Sequence, residues 1–369
     1  MGNIIEKNDY FVNTLVNYKK AIDSDIQNYC EHTIAETNNS FGEYPTEAVR
    51  AYCDLLNRGG KRIRGALVMV AYEMFGGTDM HTARQAAKAI EMLHAYILIV
   101  DDIQDNSEVR RGGPTAHIQL KQYHKSKGLS GDSRHFGVSV ALNGALFGVH
   151  SAINILAELD LSPEMRLEII SNVNKNFIAT AHGQTLDIFN EVVGTVDEEY
   201  IDKVLLWKTA YYTFMNPLQL GARLAGVSKK DLDLLREYSL HAGRAFQITD
   251  DILGIFGDAK DSGKDPMDDI REGKRTILTI KALESATKID AEFLGNMLGN
   301  EQLNKAEFLH CQEIIKTSGA LEYAVGRAQE SVQDALLSLK TLKSVANTWG
   351  DTQVEFLSQL VQLLVDRKG

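Results

Sequence analysis

Apolar residues recur at three- and four-residue steps between residues 134 and 159, the clearest periodic pattern in the chain. The residues of this stripe are Leu142, Ala145, Leu146, Val149, Ala152, Ile153 and Leu156. Side chains at these steps lie on one face of an α-helix. The pattern therefore predicts a long helix that packs the whole stripe against a core.

Signals for helix starts and breaks divide the rest of the chain into further helices. Three pairs have the residue types and spacing of helix N-termini, and they are Ser162 with Pro163, Thr195 with Glu198, and Ser228 with Asp231. Glycine breaks occur at residues 76–77, 112–113, 194 and 226, and no Pro- or Ser-rich linker splits the chain. We therefore predict one all-α domain, residues 1–369, with an N-terminal extension at 1–44 and C-terminal helices at 290–369.

Composition narrows the classes of protein to consider. The 369 residues carry a formal net charge of −11, which argues against nucleic acid as the main partner because phosphate backbones need clustered Lys and Arg. The cysteines are widely scattered at Cys30, Cys53 and Cys311, so we expect neither disulfides nor a zinc site. No run of about 18 apolar residues and no secretory signal stand out. A cytoplasmic protein without a transmembrane segment is expected.

A first acidic cluster follows the apolar run at residues 96–100. It consists of Asp101, Asp102 and Asp105, and a helix would place the first and last of these one turn apart on the same face. Carboxylates in this arrangement suit magnesium, which bridges one or two of them to substrate phosphates. A solvated acidic helix end is the alternative interpretation. Arg110 and Arg111 follow closely, and guanidinium groups bind phosphate oxygens in pairs.

A second acidic cluster, Asp250 with Asp251, lies near the end of another apolar helix. Gly254 stands one turn later, where a third acid would make this cluster a twin of the first. We predict that the two acid-bearing helices face each other and share magnesium and one diphosphate. Surface charge is again the alternative.

These clusters and several further motifs, in this order, resemble the trans-polyprenyl diphosphate synthase family, which includes farnesyl and geranylgeranyl diphosphate synthases. The further motifs are GGKRIR at 59–64, EMLHAY around His94, HGQTLD with Gln184 and Asp187, WKTAYY with Lys208 and Thr209, Phe246 with Gln247, and REGKRT with Lys274. The resemblance extends from residue 59 to about residue 324. It implies the isoprenoid synthase type of helical bundle around a central cavity, and a homodimer.

The resemblance also implies roles for individual residues. Isopentenyl diphosphate would be bound by Lys61, Arg64, His94 and Arg111. The allylic diphosphate and its departure would involve Arg110, Lys208, Lys264 and Lys274, with about three magnesium ions on Asp101, Asp102, Asp105, Asp250 and Asp251. Lys208, Thr209 and Gln247 would stabilise the positive carbon. His94 has an alternative role as a satisfied core histidine.

Product length is predicted from the turn before the first acidic cluster. Tyr96 and Ile97 lie five and four positions before Asp101, where the family has the wall of its product tunnel. One aromatic side chain there should stop elongation early, which favours geranylgeranyl or farnesyl diphosphate. Simple core packing is the alternative role of Tyr96.

Two departures from the family pattern accompany the match. The second acidic motif has Gly254 in place of its last aspartate, and no Gly-Asp pair is found around Asn143. A terpene cyclase or squalene-type synthase, which could share the helical fold and the acidic clusters, and a catalytically silent partner subunit are the competing interpretations. The GGKRIR segment with Arg110 and Arg111 supplies a second diphosphate site that a cyclase does not need.

Overall fold

The computed structural model describes residues 2–193, 197–257, 265–345 and 350–365, without the side chains of 2–9 and 344–345. Its first elements are α1 (Gly2–Phe41), α2 (Glu43–Asn57), α3 (Ile63–Met74), α4 (Met80–Gln104), β1 (Val109–Arg110), β2 (Gly113–Pro114), α5 (Ala116–Ser126), α6 (Ser133–Ala157) and α7 (Pro163–Val192). These are followed by α8 (Glu198–Val204), a π-helix (Leu205–Met215), α9 (Asn216–Leu224), α10 (Lys229–Phe256), α11 (Asp268–Arg271), α12 (Ile277–Ser285), α13 (Lys288–Met297), α14 (Lys305–Thr317), α15 (Ala320–Val345) and α16 (Asp351–Val365). The predicted all-α class is confirmed, since the two short strands only form one antiparallel hairpin.

The chain forms two compact units. The first comprises Met1–Glu73, Gly77–Ser171 and Leu220–Ala225, and the second comprises Met74–Gly76, Asn172–Gln219 and Gly226–Gly369. The assignment of residues 1–369 to one domain stays a prediction. The segment predicted as an N-terminal extension is mostly α1, whose Ile22 and Ile26 are buried within the first unit.

Helix α6 corrects one prediction about the core of the first unit. Ala145, Ala152 and Leu156 are buried as predicted, but Leu142 and Leu146 are 40% and 53% exposed. The buried face consists largely of small residues, and these are Gly137, Ala141, Gly144, Ala145, Gly148 and Ala152.

The reason for this correction is the close approach of α2. A Cβ added at Gly144 would lie 2.7 Å from the carbonyl oxygen of Ala48, and one at Gly148 would lie 2.2 Å from the ring of Tyr52. Glycine at these positions is therefore selected by close contact with α2 rather than by hydrophobicity, and the periodic pattern does not register such contact. Within the described residues, α6 is also the one helix long and apolar enough to cross a membrane, a weak indication because helices of globular cores have the same length and composition.

The second unit is built around α10, which packs against α15 and the π-helix. Ile248 and Ile255 of α10 lie in its core with Leu278 and Ile315. The predicted start of α10 is confirmed, since the Ser228 side chain accepts a hydrogen bond from the backbone N–H of Asp231. These contacts place one face of α10 against the π-helix.

The predicted starts of α7 and α8 have different outcomes. Helix α7 begins at Pro163, and the Ser162 hydroxyl accepts from the N–H of Met165 at 3.2 Å. Helix α8 is capped by Asp197, whose carboxylate accepts from the N–H of Tyr200 at 2.8 Å. The predicted cap Thr195 and the break at Gly194 lie outside the described residues.

Candidate active site

The first acidic cluster lies at the C-terminal end of α4, in the first unit. Asp101 and Asp102 are in the last turn, and the backbone N–H of Asp105 donates to the carbonyl of Asp101 at 2.8 Å. Asp101 and Asp105 are therefore one helical turn apart, as predicted. The C-terminal end of a helix carries partial negative charge, so three carboxylates there are unfavourable without compensating cations.

Arg110, on β1, supplies part of this compensation. Its Nε donates to Oδ1 of Asp102 at 2.7 Å, and its Nη2 lies 3.5 Å from Oδ2 of Asp101. The Asp102 side chain is only 1% exposed. Burial alone would lower the pKa of Arg110, but the carboxylates of Asp102, Asp101 and Asp105 outweigh burial and raise it. Arg110 therefore stays charged beside the acids.

The hairpin that carries Arg110 is held by Arg58, which sequence analysis did not identify. The Arg58 guanidinium donates to the carbonyl oxygens of Arg110 and Pro114, at 3.1 and 2.8 Å, and pairs with Asp54. A Cβ at Gly113 would lie 2.5 Å from the Arg58 guanidinium carbon, so a side chain there would displace the Arg58 guanidinium. No local pattern at Arg58 indicates this role, because the two carbonyl oxygens lie more than 50 residues away along the chain.

Arg111, at the tip of the same hairpin, lies among cations. Its Nη1 donates to the carbonyl of Leu55 at 3.2 Å. Burial and then the charge of Arg62 lower the pKa of Arg111 to about 10, with Arg64 and Arg110 adding to the shift and Glu91 opposing it. Arg111 therefore lies near three other guanidinium groups, of which those of Arg62 and Arg110 are paired with carboxylates.

Backbone strain in the described residues concentrates in the same region. The only non-glycine residues with positive φ there are Arg62, Asn106 and Arg111, at 51°, 51° and 52°. Each lies in or beside a segment predicted to bind diphosphate. Left-handed backbone at residues with a side chain costs about 1–3 kcal/mol each and tends to persist at functional sites.

The structure brings together two of the residues predicted to bind isopentenyl diphosphate. Nη1 of Arg64 lies 3.5 Å from Nδ1 of His94, while Lys61 is exposed on the loop between α2 and α3. Burial and then the charge of Arg64 lower the pKa of His94 to about 3, although Glu91 opposes them. The imidazole is therefore neutral near pH 7.

This lowered pKa makes folding stability dependent on pH. Below its ordinary pKa of about 6.5, His94 binds a proton in the unfolded chain that the folded chain does not take up until about pH 3. The folding stability that depends on neutral His94 is therefore fully present above about pH 6.5 and is lost as the pH falls below that value. We expect urea unfolding to give a smaller stability loss between about pH 7 and pH 5 for His94→Gln than for the wild type. An identical loss in both proteins would contradict this assignment.

In the second unit, a chain of hydrogen bonds links three predicted site residues. The Thr209 hydroxyl donates to Oε1 of Gln247 at 2.6 Å, and Nε2 of Gln247 donates to Oδ1 of Asp251 at 2.8 Å. Lys208, in the same π-helix as Thr209, pairs with Asp187 of α7. The structure thus brings together residues of the π-helix, α7 and α10, which belong to separate sequence motifs.

Close helix contacts produce this arrangement. A Cβ at Gly183 would lie 2.2 Å from the backbone nitrogen of Lys208, and a Cβ at Gly243 would lie 2.2 Å from Cβ of Ala210. Both glycines therefore let their helices approach the π-helix closely. The side chains of Lys208 and Thr209 are positioned by these backbone contacts.

A further acid, Asp269 of α11, lies against Gly254 and was missed by sequence analysis. A Cβ at Gly254 would lie 2.2 Å from Oδ2 of Asp269. Burial, followed by the charges of Asp269, Asp250 and Asp187, raises the pKa of Asp251, against a hydrogen bond from Gln247. Asp269 also lies 3.6 Å from Nζ of Lys274, a predicted site residue. The space next to the missing motif acid therefore holds a carboxylate from elsewhere in the chain.

Restoring the motif by Gly254→Asp is accordingly expected to be harmful. The new side chain would overlap Asp269 and add a negative charge beside Asp251, so we expect about 1–3 kcal/mol of destabilisation and no gain in activity. Gly254→Asn, which has the same volume without the charge, separates crowding from repulsion. Thermal unfolding and product formation by both variants test this, and higher activity of Gly254→Asp than of the wild type would contradict it.

The donor groups fit a magnesium ion whose coordination sphere is completed by the substrate. Within the described ranges, no three His, Cys, Asp or Glu side chains converge into a ready-made metal cage. Magnesium usually takes only one or two protein carboxylates and completes its octahedron with substrate phosphates and water. The Asp101 and Asp250 clusters offer such carboxylates in the first and second units, respectively.

The remaining predicted residues have simpler outcomes. Tyr96 and Ile97 are half-buried on α4, one turn before Asp101. Lys264 lies outside the described residues. Asn143, the site of the second departure, is exposed on α6.

Comparison with known proteins identifies the family. The model of the polyprenyl synthetase family matches residues 46–315. The geranylgeranyl diphosphate synthase of Saccharolobus solfataricus is 36% identical over 315 residues, covering 83% of this chain and 86% of that protein. The geranylfarnesyl diphosphate synthase of Aeropyrum pernix is 31% identical over 326 residues, covering 88% and 95%.

A solved structure agrees with these sequence relatives. The geranylgeranyl pyrophosphate synthase of Corynebacterium glutamicum, complexed with isoprenyl diphosphate and magnesium, is similar with a TM-score of 0.84 and 30% identity. The similarity covers 98% of this chain and 99% of that one. With carboxylates and guanidinium groups at the positions described above, the chain belongs to the polyprenyl synthetase family.

Proposed function

We propose that this enzyme condenses isopentenyl diphosphate with an allylic diphosphate, namely dimethylallyl, geranyl or farnesyl diphosphate, and releases geranylgeranyl diphosphate as its main product. Prenyl transfer follows from membership of the family. The named activities of the relatives from Saccharolobus solfataricus and Corynebacterium glutamicum support the product. Farnesyl diphosphate is the alternative product.

One observation carries the proposal: the first unit holds two different sets of groups for anionic substrates. One set is the acidic cluster with Arg110, whose Nε bonds Asp102 at 2.7 Å. The other set contains the cations Arg111 and Arg64 and, next to Arg64, the neutral His94. A condensation of two diphosphates needs both sets, whereas a cyclase needs only the first.

Magnesium is the proposed cofactor, with about three ions per site. Asp101, Asp102 and Asp105 would hold it in the first unit, and Asp250 and Asp251 would hold it in the second. When bound, magnesium neutralises the charge that develops on the departing diphosphate.

The protein's own groups do the rest of the chemistry. Arg110, Lys208 and Lys264 stabilise the departing diphosphate, and Lys274 adds a further positive charge for substrate binding. The allylic C–O bond breaks and its electron pair leaves with the diphosphate. Electrostatic stabilisation of such a leaving group in a site without water contributes several kcal/mol.

The allylic cation then reacts with the bound isopentenyl diphosphate. The carbonyl of Lys208, the hydroxyl of Thr209 and the amide of Gln247 stabilise the positive carbon. The isopentenyl double bond supplies the electron pair of the new C–C bond. A proton is then lost to the released diphosphate, which restores a double bond.

Tyr96 is proposed to limit the product length, with Ile97 beside it on α4. We expect Tyr96→Ala to lengthen the main product by about one isoprene unit, since removing an aromatic ring opens space for the growing chain. Ile97→Ala is a comparison variant with a smaller loss of volume. Mass analysis of the product alcohols measures chain length, and an unchanged product from Tyr96→Ala would contradict this role.

Two further proposals concern the protein as a whole. We propose a homodimer, which the exposed apolar side chains Leu142 and Leu146 on α6 support because such groups are often covered by a second copy. A cytoplasmic location is proposed from the scattered cysteines. Light scattering of the purified chain measures the assembly state.

Incubation of the purified protein with magnesium, isopentenyl diphosphate and each allylic diphosphate tests the function. The expected result is a prenyl diphosphate longer than the allylic substrate by whole isoprene units. Diphosphate release without condensation would indicate a cyclase. Inertness toward every allylic substrate would indicate a silent partner subunit, and either result overturns the proposal.

A further inference from the structure

Arg62 lies between two predicted diphosphate ligands, Lys61 and Arg64, but its own side chain is buried. It belongs to the loop between α2 and α3, where Lys61 is exposed while the Arg62 side chain is only 1% exposed. Its backbone is left-handed, with φ of 51°. A conformation of this cost persists only where surrounding contacts hold it.

Three hydrogen bonds hold the Arg62 guanidinium in place. Nη2 donates to the carbonyl of Leu56 at 2.7 Å, Nε donates to Oδ1 of Asp23 at 2.7 Å, and Nη1 donates to Oε2 of Glu91 at 3.4 Å. Leu56 lies at the end of α2, Asp23 on α1 and Glu91 on α4. One side chain therefore fastens the loop to three helices.

Glu91 fastens the other end of the same loop. Its side chain is 2% exposed, and Oε1 accepts from the backbone N–H of Gly65, in the first turn of α3, at 2.9 Å. Burial would raise the pKa of Glu91, but His94, Arg62 and the Gly65 N–H lower it to about 2. Glu91 is therefore ionised and bridges the segment that runs from Arg62 to Gly65.

The same carboxylate faces the substrate-binding side chains. Nδ1 of His94, one turn along α4, lies 3.9 Å from Oε2 of Glu91 and 3.5 Å from Nη1 of Arg64. Moving Glu91 or the loop would therefore move Arg64 relative to His94. Displacements of about 1 Å in such sets of groups cost up to about 100-fold in rate.

Helix α1 takes part in this arrangement beyond the single ion pair. A Cβ at Gly65 would lie 2.7 Å from Cδ1 of Ile22, so α1 packs directly on the start of α3. Asp23 also pairs with Lys19, one turn earlier on α1. The segment that the sequence presents as an extension thus contacts the loop that carries Lys61.

Stability alone does not account for this buried network. Desolvation offsets much of the attraction within a buried ion pair. Apolar residues of similar volume often stabilise a core to the same extent. In some proteins, buried ionic groups of this kind fix a geometry that apolar packing would leave open.

We propose that Asp23, Arg62 and Glu91 are positioning residues that hold Lys61 and Arg64 in the geometry required for the diphosphate of isopentenyl diphosphate, so that α1 is part of the support of this site. The inference rests on the proposed function. It assigns to the N-terminal helix a role in the affinity for one of the two substrates.

A matched pair of substitutions on α1 tests the proposal. Asp25, two residues from Asp23, pairs with Arg84 of α4 at 2.8 and 2.6 Å. Asp23→Asn weakens the bond to Arg62, while Asp25→Asn weakens the attachment of α1 to α4 without touching the loop. Asp23 is one-third exposed, so its amide variant should fold.

We expect Asp23→Asn to raise KM for isopentenyl diphosphate about tenfold, with kcat and KM for the allylic substrate changed less than twofold. Asp25→Asn should leave both KM values unchanged. Calorimetric titration with isopentenyl diphosphate alone, which has no allylic partner to react with, should show the same tenfold loss for Asp23→Asn.

The possible outcomes distinguish a failure of the positioning role from a failure of the proposed function. Equal KM and affinity in Asp23→Asn and the wild type overturn the positioning role. An equal rise in both variants also overturns it, because general detachment of α1 would then explain the loss. A wild-type protein that neither binds nor condenses isopentenyl diphosphate overturns the proposed function itself.

Discussion

Arg110→Ala is expected to lower kcat by about 10²- to 10³-fold, because the guanidinium stabilises the departing diphosphate directly. It is also expected to lower the free energy of unfolding by about 3–5 kcal/mol, because Asp102, with 1% exposure, loses its close ion pair. Steady-state kinetics well below the unfolding temperature and chemical denaturation measure the two effects separately.

Arg110→Lys is the control for charge alone. Lysine keeps the positive charge but lacks the planar fork that reaches Asp102 and Asp101 together. We expect intermediate values of both kcat and stability. An Arg110→Ala enzyme with unchanged kcat would remove Arg110 from the chemistry and leave it only a structural role.

Gly183→Ala is expected to be the most damaging change of a single methyl group in the second unit. The added Cβ would lie 2.2 Å from the backbone nitrogen of Lys208 and 2.5 Å from the carbonyl carbon of Trp207. Backbone atoms cannot turn aside as side chains do, so the π-helix must shift. We expect about 3 kcal/mol or more of destabilisation and a fall in kcat of about 100-fold as Lys208 and Thr209 move.

Gly326→Ala is the matched control for this substitution. Gly326 also lies inside a helix of the second unit, α15, but a Cβ there would have nothing within 4 Å. Because alanine is the better helix former, we expect this variant to gain up to about 1 kcal/mol and to keep its activity. Thermal unfolding and kinetics of the pair provide the test. Similar stability and activity of the two variants would show that the close contact between Gly183 and Lys208 limits neither property.

Much of the first half of the site was predictable because its signals are local. Asp101 and Asp105 are separated by one turn in any helix, and the observed hydrogen bond from the Asp105 N–H to the Asp101 carbonyl places them there. The motif GGKRIR was recognised by residue type and order. Yet the directions of its side chains, with Lys61 outward and Arg62 inward, were not predictable because they depend on α1 and α4.

The missed residues share one cause. Arg58 and Asp269 act on segments distant in sequence, through the carbonyl of Pro114 and the space beside Gly254, respectively. Neither has a local pattern of its own. The exposed Leu146 on α6 has a similar explanation, since the close approach of α2 placed glycines on the buried face.

By itself the sequence determined that the chain is helical, which acids share a turn and which motifs place it in the polyprenyl synthetase family, because these depend on spacing along one helix and on residue identity. Tertiary structure alone decided that Arg62 turns inward to Asp23 and Glu91, that Asp269 lies beside Gly254, and that Thr209, Gln247 and Asp251 form one hydrogen-bonded chain. Gln247 and Asp251 lie one turn apart on α10, but every other contact named here joins segments that only the packing of helices brings together.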